Sequence, residues 1–484
     1  MPKVRIPLVG QITSADVSTA QQTFKNVHFI PYDNPATGKK TIHCASLEVY
    51  ENSNTPGSGS EDGTAIRVWS GNSNAIVTAF GATNSTIYSG GSSLGSITGI
   101  CNFITESVVS GTATLFMTSA SNKGYYYPSG GSITEITDTD FPAKQTPART
   151  ITGSFVHFDG FNGIMCTDGT FWHSDVNSAS SWTSTATIEA QDQPDAGVAA
   201  IKYRNYIILF GKSSYEPHIN TGNAAGAVVS RVSGAARKVG LINQYAVTQI
   251  GDNIAWCGTQ NGVGVFMLDG MEPRRISTFP VETRLRQKTG TARLHVLSSW
   301  GRAKLLLTFE SSLNQSGYLY DPDTGLWSEW RSQNGYITQG DSLQLDSSTY
   351  GCFFVGANGD RSYRRNSNTG SGGSEIYTSF LDFGTSNRKR MLSVSVVGHS
   401  FLGTQGSVYV GYLDKSYNFP SAYPNGYSDP RQFVLSGSGT RENPRIYRWG
   451  TFVSRSFYVT WSGLSAGNLF ALEALEIEYE ELSH

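Results

Sequence analysis

Carboxylates, histidines, thiols and one basic run are the side chains here that could do chemistry, and their spacing limits what that chemistry can be. Asp321-Pro-Asp323-Thr-Gly325 sets two carboxylates before a glycine, the start of a hard-oxygen set for calcium. It lacks the further ligands and the bidentate glutamate of a full loop, so it reads as a type I hairpin turn between Tyr320 and Trp327. His157 and His173 lie near Asp159 and Asp175, but no G-x-S-x-G nucleophile motif accompanies them, and strand positions are the simpler reading. GAARKVG lacks the G-K-[ST] ending of a phosphate-binding loop, and no G-x-G-x-x-G opens a helix. Cys44, Cys101, Cys166, Cys257 and Cys352 are odd in number, widely spaced and flanked by apolar residues. That pattern excludes a disulfide framework or zinc ribbon and fits buried thiols in a reducing cytoplasm. The expectation is therefore a protein that is not an enzyme, with no catalytic, cofactor or metal residues to assign.

The charge is concentrated in two places. Arg388-Lys389-Arg390 precedes MLSVSVVG and is the candidate for contact with DNA phosphates or an acidic partner surface. A solvated strand start whose charges discourage edge pairing explains it equally well. Glu473, Glu476, Glu478, Glu480 and Glu481 alternate with Leu475, Ile477 and Tyr479, as in a strand with one wet face or an ionic subunit contact.

The elements that must hold these residues are strands. Only 15% of the 484 residues are charged, against about 25% in ordinary soluble domains, while 53 Gly and 57 aromatic residues (24 Phe, 24 Tyr, 9 Trp) suit turns and pleated surfaces. The chain reads as all-β. A formal net charge of -2 argues against a binder that relies on bulk charge to hold nucleic acid. No run approaches the ~18 apolar residues of a membrane span, and the apolar run at the N-terminus is too short for a signal peptide, so a protein made in a cytosol is expected.

Two Gly/Ser/Asn-rich stretches, ENSNTPGSGSEDGT near residues 51–64 and NSNTGSGGS at 366–374, divide the chain. Residues 1–60 form an arm too short for its own core, which must pack on another domain. Residues 61–365 repeat a unit of strand, glycine turn and strand. With Gly91, Gly131, Gly169, Gly222, Gly270, Gly325 and Gly359 as markers, the intervals are 40, 38, 53, 48, 55 and 34 residues, bracketing the ~40–50 of propeller blades. About seven blades are expected, within a range of six to eight, each marker closing the outer hairpin of a four-stranded blade. CTDGTFW (Cys166–Trp172) is similar to the Asp-box of sialidase-type propellers, but Gly169 directly follows Asp168 and no second copy occurs. An Asp-Gly hairpin with Trp172 in a core is the preferred reading. Residues 375–484 alternate apolar and polar residues in SVSVVGHS, SVYVGYL, SFYVTWSG and ALEIEYEE, which predicts a β-sandwich or jelly-roll-like domain. Helical patterning is faint, the nearest cases being TRLRQKTGTARLHV at 283–296 and AGNLFALEAL at 466–475.

The stretch QPDAGVAAIKYRNYIILFGKSSYEPHINTG, with GLINQYAVTQIGDNIAWCGTQNGVGVFMLDGMEPRRISTFPVE after it, resembles the packaged-DNA stabilisation proteins of short-tailed phages, also called tail nozzle or tail accessory proteins. The matching positions are Gln193, Pro194 and Asp195, then Phe210 and Gly211, Ser213 or Ser214 near Glu216, and Thr221 and Gly222. Further on come Arg275, Ile276, Ser277, Thr278 and Glu282, and in the tail FGTSNRKRM and RIYRWGTFVSRSFYV. Pro217-His218 departs from the extended aromatic strand usual in that family.

The resemblance implies a structural virion protein of the tail, assembled in the host cytoplasm as a homohexamer. It would form a sixfold ring below the portal-adaptor complex, as a DNA conduit that helps retain the packaged genome until ejection. The implied partners are the portal-adaptor proteins, a tailspike or tail fibre, a needle or plug protein, and double-stranded DNA passing without sequence-specific binding; no cofactor is implied. Two other readings stand beside it: a receptor- or glycan-binding tail protein, and a propeller glycoside hydrolase, which would need a pair of carboxylates flanking a sugar.

Overall fold

A computed structural model describes residues 2–8, 23–25, 27–33, 40–46, 50–52, 62–73, 75–190, 195–223, 226–287, 290–299, 302–309, 316–331, 337–344, 350–356, 361–365, 373–400, 406–415, 427–437, 441–462 and 470–482. Nearly all of its secondary structure is antiparallel strand, as the abundance of aromatic and turn residues dictates.

Seven small sheets succeed one another along the chain as the blades of a propeller. Blade 1 is Gly63–Trp69, Ala75–Phe80, Ser85–Ser89 and Ser92–Ile97; blade 2 is Cys101–Val109, Thr112–Ser119, Lys123–Pro128 and Thr134–Glu135. Blade 3 is Ile151–Phe158, Phe161–Cys166, Thr170–Ser174 and Trp182–Glu189; blade 4 is Gly197–Tyr203, Tyr206–Gly211, Tyr215–Asn220 and Val229–Arg231. Blade 5 is Val247–Ile250, Asn253–Thr259, Val263–Asp269 and Glu272–Arg275, with Gly240–Leu241 also paired to its second strand. Blade 6 is Ala292–Ser299, Arg302–Phe309, Ser316–Asp321 and Leu326–Arg331. The first strand of each blade is innermost and lies beside the first strand of a neighbour.

Blade 7 closes the ring from both ends of the propeller sequence. Its inner three strands are Ile337–Gln344, Tyr350–Gly356 and Arg361–Arg365, but its outermost strand is Tyr50–Asn52, from ahead of blade 1, in register Tyr363 with Asn52 and Arg365 with Tyr50. The inner strand of blade 7 lies beside that of blade 1, completing the circle. Hydrogen bonds between segments some 300 residues apart thus replace a free edge, the standing liability of open sheets.

Apolar side chains fill the joints between blades. Phe116, Phe141, Phe155, Ile164, Trp172 and Trp182 pack between blades 2 and 3, and Phe210, Tyr215, Trp256 and Phe266 lead a larger cluster running from blade 4 to blade 6. The helix Phe279–Gln287 inserts Val281 and Leu285 into that larger cluster.

The four alternating segments of the tail are all strands, in two stacked sheets. One holds Lys389–Ser400 and Phe470–Glu481 and, from the start of the chain, Lys3–Pro7, Val27–Asp33 and Lys40–Ser46. The other holds Gly373–Tyr377, Arg455–Ser462, Gly406–Asp414 and Arg431–Leu435. Their shared core contains Ile6, Leu8, Phe24, Val27, Phe29 and Cys44 from the arm beside Val394, Val410, Phe457, Trp449 and Trp461 from the tail. The propeller is therefore an insertion within a sandwich built by both ends of the chain. The weak helical pattern at AGNLFALEAL gives way to strand in Phe470–Glu481, because alternation of apolar and charged residues continues through Glu481.

Thr23–Lys25 welds the two bodies. It pairs in parallel with the outer strand of blade 6 (Lys25 with Glu329) and antiparallel with Gly373–Tyr377 (Phe24 with Ile376), making one nine-stranded sheet. Beside it the Ser328 hydroxyl donates to the Val27 carbonyl at 2.8 Å, and Lys25 Nζ lies 3.5 Å from Glu375 Oε2.

Candidate functional site

The propeller axis is the first place where a ligand or a nucleic acid could enter. A cavity of about 520 Å³ follows it, lined by the inner strands of blades 1 to 6. Tyr245, one of its lining residues, precedes the inner strand of blade 5 and reaches across to blade 2. There its hydroxyl and Asn102 Oδ1 are 3.0 Å apart and its ring stacks on Phe103 at 4.9 Å between centroids. The Arg293 guanidinium of blade 6 lies 4.0 Å from the same ring, a close cation–π contact. Next to it, Gln244 Oε1 accepts from the Gly153 amide at 2.7 Å and from Thr152 Oγ1 at 3.2 Å, tying the plug to blade 3. Also in the lining, Arg67 Nη2 meets Glu106 Oε1 at 3.1 Å, so the wall carries both signs of charge.

The residues behind the family resemblance turn out to lock joints between strands. Gln193 and Pro194 lie outside the described residues. Asp195 Oδ2 accepts from the amides of Ser213 and Ser214 at 2.6 and 3.0 Å and from the Ser213 hydroxyl at 2.7 Å, fixing the turn between the second and third strands of blade 4. Gly211 opens that turn, and a Cβ there would lie 2.2 Å from Asp195 Oδ1, so only glycine lets the carboxylate dock. Phe210 enters the core, and Glu216 is buried within 3.3 Å of Arg231 Nε. Pro217-His218 sits inside the strand Tyr215–Asn220; His218 Nδ1 donates to the Glu216 carbonyl at 3.2 Å, and burial draws its pKa down to about 4. Downstream, Arg275 Nε donates to Glu282 Oε1 at 2.8 Å and Ser277 Oγ to the same oxygen at 2.9 Å, while the Val265 amide donates to Ser277 Oγ at 3.0 Å. This joins blade 5 to the helix that leads into blade 6. Sequence spacing alone could not foresee these as locking contacts, since Asp195 and Ser213 lie in different loops.

The isolated candidates lie in strands and turns. Asp168-Gly169 closes the hairpin between the second and third strands of blade 3, with Gly169 at φ 90°. Asp168 Oδ1 accepts from the amide and hydroxyl of Thr170 at 3.1 and 2.6 Å, and Oδ2 takes Arg149. Burial pushes this carboxyl up, but those bonds outweigh it and hold the pKa below its usual value. Trp172, buried, donates its indole N–H to Thr170 Oγ1 at 2.9 Å. In the DPDTG turn the Gly325 amide donates to the Asp321 carbonyl at 2.8 Å, and Asp321 Oδ2 meets the fully buried Lys304 Nζ at 2.5 Å. His157 Nδ1 lies 2.7 Å from Ser107 Oγ, and His173 Nδ1 lies 2.9 Å from the Ser174 carbonyl. Cys44, Cys101, Cys166 and Cys257 are buried free thiols, Cys166 pushed up to about 12 by burial; the Cys352 side chain lies outside the described residues. Among the described residues no group of three or more His, Cys, Asp or Glu could hold a metal ion, and no helix is long and apolar enough to cross a membrane.

Arg388 directly precedes, and Lys389 and Arg390 begin, the long strand Lys389–Ser400 of the sandwich. Alternation sends them to opposite faces. Lys389 is fully buried, its Nζ donating to the carbonyls of Thr385 and Asn387 at 2.7 and 2.8 Å, so its charge is spent inside the chain. Arg388 and Arg390 stay at the surface. Arg388 Nη2 donates to Thr451 Oγ1 at 3.3 Å and Arg390 Nη1 pairs with Glu480 Oε1 at 3.1 Å. The acidic strand is answered by basic neighbours on the same face: Glu473 by Arg5 and Arg441, Glu478 by Lys3 and Arg445 at 2.9 and 3.2 Å.

Residues 72–311 match the family described as bacteriophage P22 Gp10, beta-propeller, one of phage stabilisation proteins. No curated protein sequence matches. Two solved structures are similar in outline: Raptor from Chaetomium thermophilum (TM-score 0.44, 9% identity, 66% of this chain and 28% of that one) and BBS1N in complex with ARL6DN (TM-score 0.45, 10% identity, 66% of this chain and 97% of that one). The chain thus spans little more than a quarter of Raptor's length.

Proposed function

Because residues 72–311 match the phage stabilisation family of P22 Gp10, we propose that the chain is a member of that family and the tail nozzle of a short-tailed phage, a structural and non-enzymatic virion protein. Six copies would form a ring below the portal-adaptor complex and enclose the path of the DNA, retaining the packaged genome until ejection. The adaptor, a tailspike or fibre and a needle or plug protein would be its neighbours in the tail, which assembles in the host cytoplasm.

The observation that carries this reading is the plugged axis. B-DNA, whose major groove alone is about 12 Å wide, cannot thread a channel that a single tyrosine bridges. Any conduit must therefore lie between copies and not through one. A second support is the welded sheet at Thr23–Lys25, which makes propeller and sandwich a single stiff body able to bear axial force from the DNA column. The near-neutral charge also suits a wall past which DNA slides, because each phosphate neutralised by a bound cation strengthens the grip. Native mass spectrometry of the purified protein with its portal-adaptor tests the reading. Six copies bound per connector are expected; a trimer, or no binding to the connector, would overturn it.

A further inference from the structure

A second cavity of about 400 Å³, sharing no lining residue with the axial one, opens between blades 3 and 4 at the end of the propeller where the inner strands finish. Its lining is built from two adjacent hairpin tips and the end of a third strand. Phe158 and Ile207, both buried, form an apolar base. Asn220 Nδ2 donates to Asp159 Oδ2 at 2.7 Å, both residues lining the cavity, and Asn220 Oδ1 accepts from the Gly222 amide at 2.9 Å. Around the opening stand Lys202, Arg204, Asn205 and the half-buried Tyr206. Lys202 and Arg204 are exposed, and among the described residues neither makes an ion pair; Arg204 only lays its guanidinium 5.2 Å from the Tyr203 ring centroid. Arg204 also holds φ 55°, a left-handed conformation that glycine or asparagine normally occupies in turns, so a bulky cation is kept at this tip against its conformational preference.

The chemistry of the wall is mixed in a way that selects a ligand class. Two cations without an ion pair among the described residues, Lys202 near the end of a strand and Arg204 in the turn that follows it, call for an anion. Asp159, however, would repel a bare one, and with Asn205 it offers acceptors and donors suited to hydroxyl groups. Tyr206 and the Phe158–Ile207 base give apolar surface for the C–H face of a ring. At the small end of ligand cavities, about 300–1,000 Å³, the space admits one ring with its substituent and not an extended chain. We propose that this cavity binds a single pyranose residue bearing a carboxylate or a phosphate, with Lys202 and Arg204 holding the anionic group and Asp159 and Asn205 its hydroxyls. The site is independent of the nozzle reading.

Ligand-observed NMR and calorimetry with the full chain test it, using glucuronate, glucose 6-phosphate, glucose and inorganic phosphate as probes. Glucuronate or glucose 6-phosphate should bind at least tenfold more tightly than glucose and than phosphate, and whichever binds tells carboxylate from phosphate. The double variant Lys202→Gln/Arg204→Asn should weaken that binding at least tenfold, and its unchanged melting temperature would show that the fold is intact, since asparagine tolerates the left-handed turn. Inorganic phosphate binding as tightly as the sugar phosphate, neither acidic sugar binding, or binding untouched by the double variant would each overturn the proposal.

Discussion

Removing residues 1–46 should unfold the C-terminal body while leaving Tyr50–Asn52 to close blade 7. The arm contributes Ile6, Leu8, Phe24, Val27, Phe29 and Cys44 to the sandwich core, each no more than 4% exposed. At about 1.5–3 kcal/mol for each large apolar side chain, the loss is roughly 10 kcal/mol. That equals the whole stability of a typical domain, about 5–15 kcal/mol, before the bared faces of Val394, Val410 and Trp461 are counted. A single truncation, Phe29→Ala, removes an edge-to-face contact with Phe24 (5.3 Å between centroids) and should cost about 3–5 kcal/mol. Limited proteolysis with mass mapping is the assay, followed by the emission of Trp449 and Trp461, both buried in the sandwich. The truncated chain should be cut rapidly between 373 and 482 and show red-shifted emission, with the propeller fragment surviving. A protease-resistant sandwich with native emission would refute the claim that the arm is part of its core.

The buried Lys304–Asp321 pair should obey the asymmetry of buried charges. Asp321→Ala strands the ammonium and should cost about 3–5 kcal/mol in chemical denaturation, whereas Lys304→Met/Asp321→Leu should recover much of that loss. His295 is drawn down to about 3, by burial and then by Arg293, and His218 to about 4, by burial. The unfolded chain therefore binds more protons than the folded one below pH 6.5, so the stability these histidines contribute is full above 6.5 and declines toward pH 4. Melting temperature should fall across that window and fall less in His295→Gln; a flat profile in the parent protein would contradict the burial of both rings. Tyr245→Ala should open the axial cavity, costing about 2 kcal/mol for the lost stack and hydrogen bond, and hydrogen exchange should quicken along the inner strands of blades 2 and 5.

Much of the architecture was legible because turns and alternation are local. Gly359 lies outside the described residues; each of the other six glycine markers falls in a different blade, and five of them, Gly91, Gly131, Gly222, Gly270 and Gly325, close the outer hairpin as expected. Gly169 lies one hairpin further in, between second and third strands. The uneven intervals of 38 and 53 residues around Gly169 come from that shift. What could not be read was anything set by contacts between distant segments. Neither the ring closure by Tyr50–Asn52 nor the weld at Thr23–Lys25 has a local pattern, since three-residue strands are stabilised by their partners and not by their own sequence. The basic run shows the same limit. Composition groups Arg388, Lys389 and Arg390, but strand alternation turns Lys389 inward to backbone carbonyls and leaves two arginines outside. The Tyr245 plug was missed because a lone tyrosine before a strand looks like any other aromatic residue.

Averaged cryo-electron imaging of particles containing this protein tests the central claim most directly, with copy number and position read from the map. The account predicts six copies in an axial ring beneath the portal, the DNA path between them and each propeller axis closed at Tyr245. A peripheral trimer, absence from the particle, or DNA density inside a single propeller would contradict it.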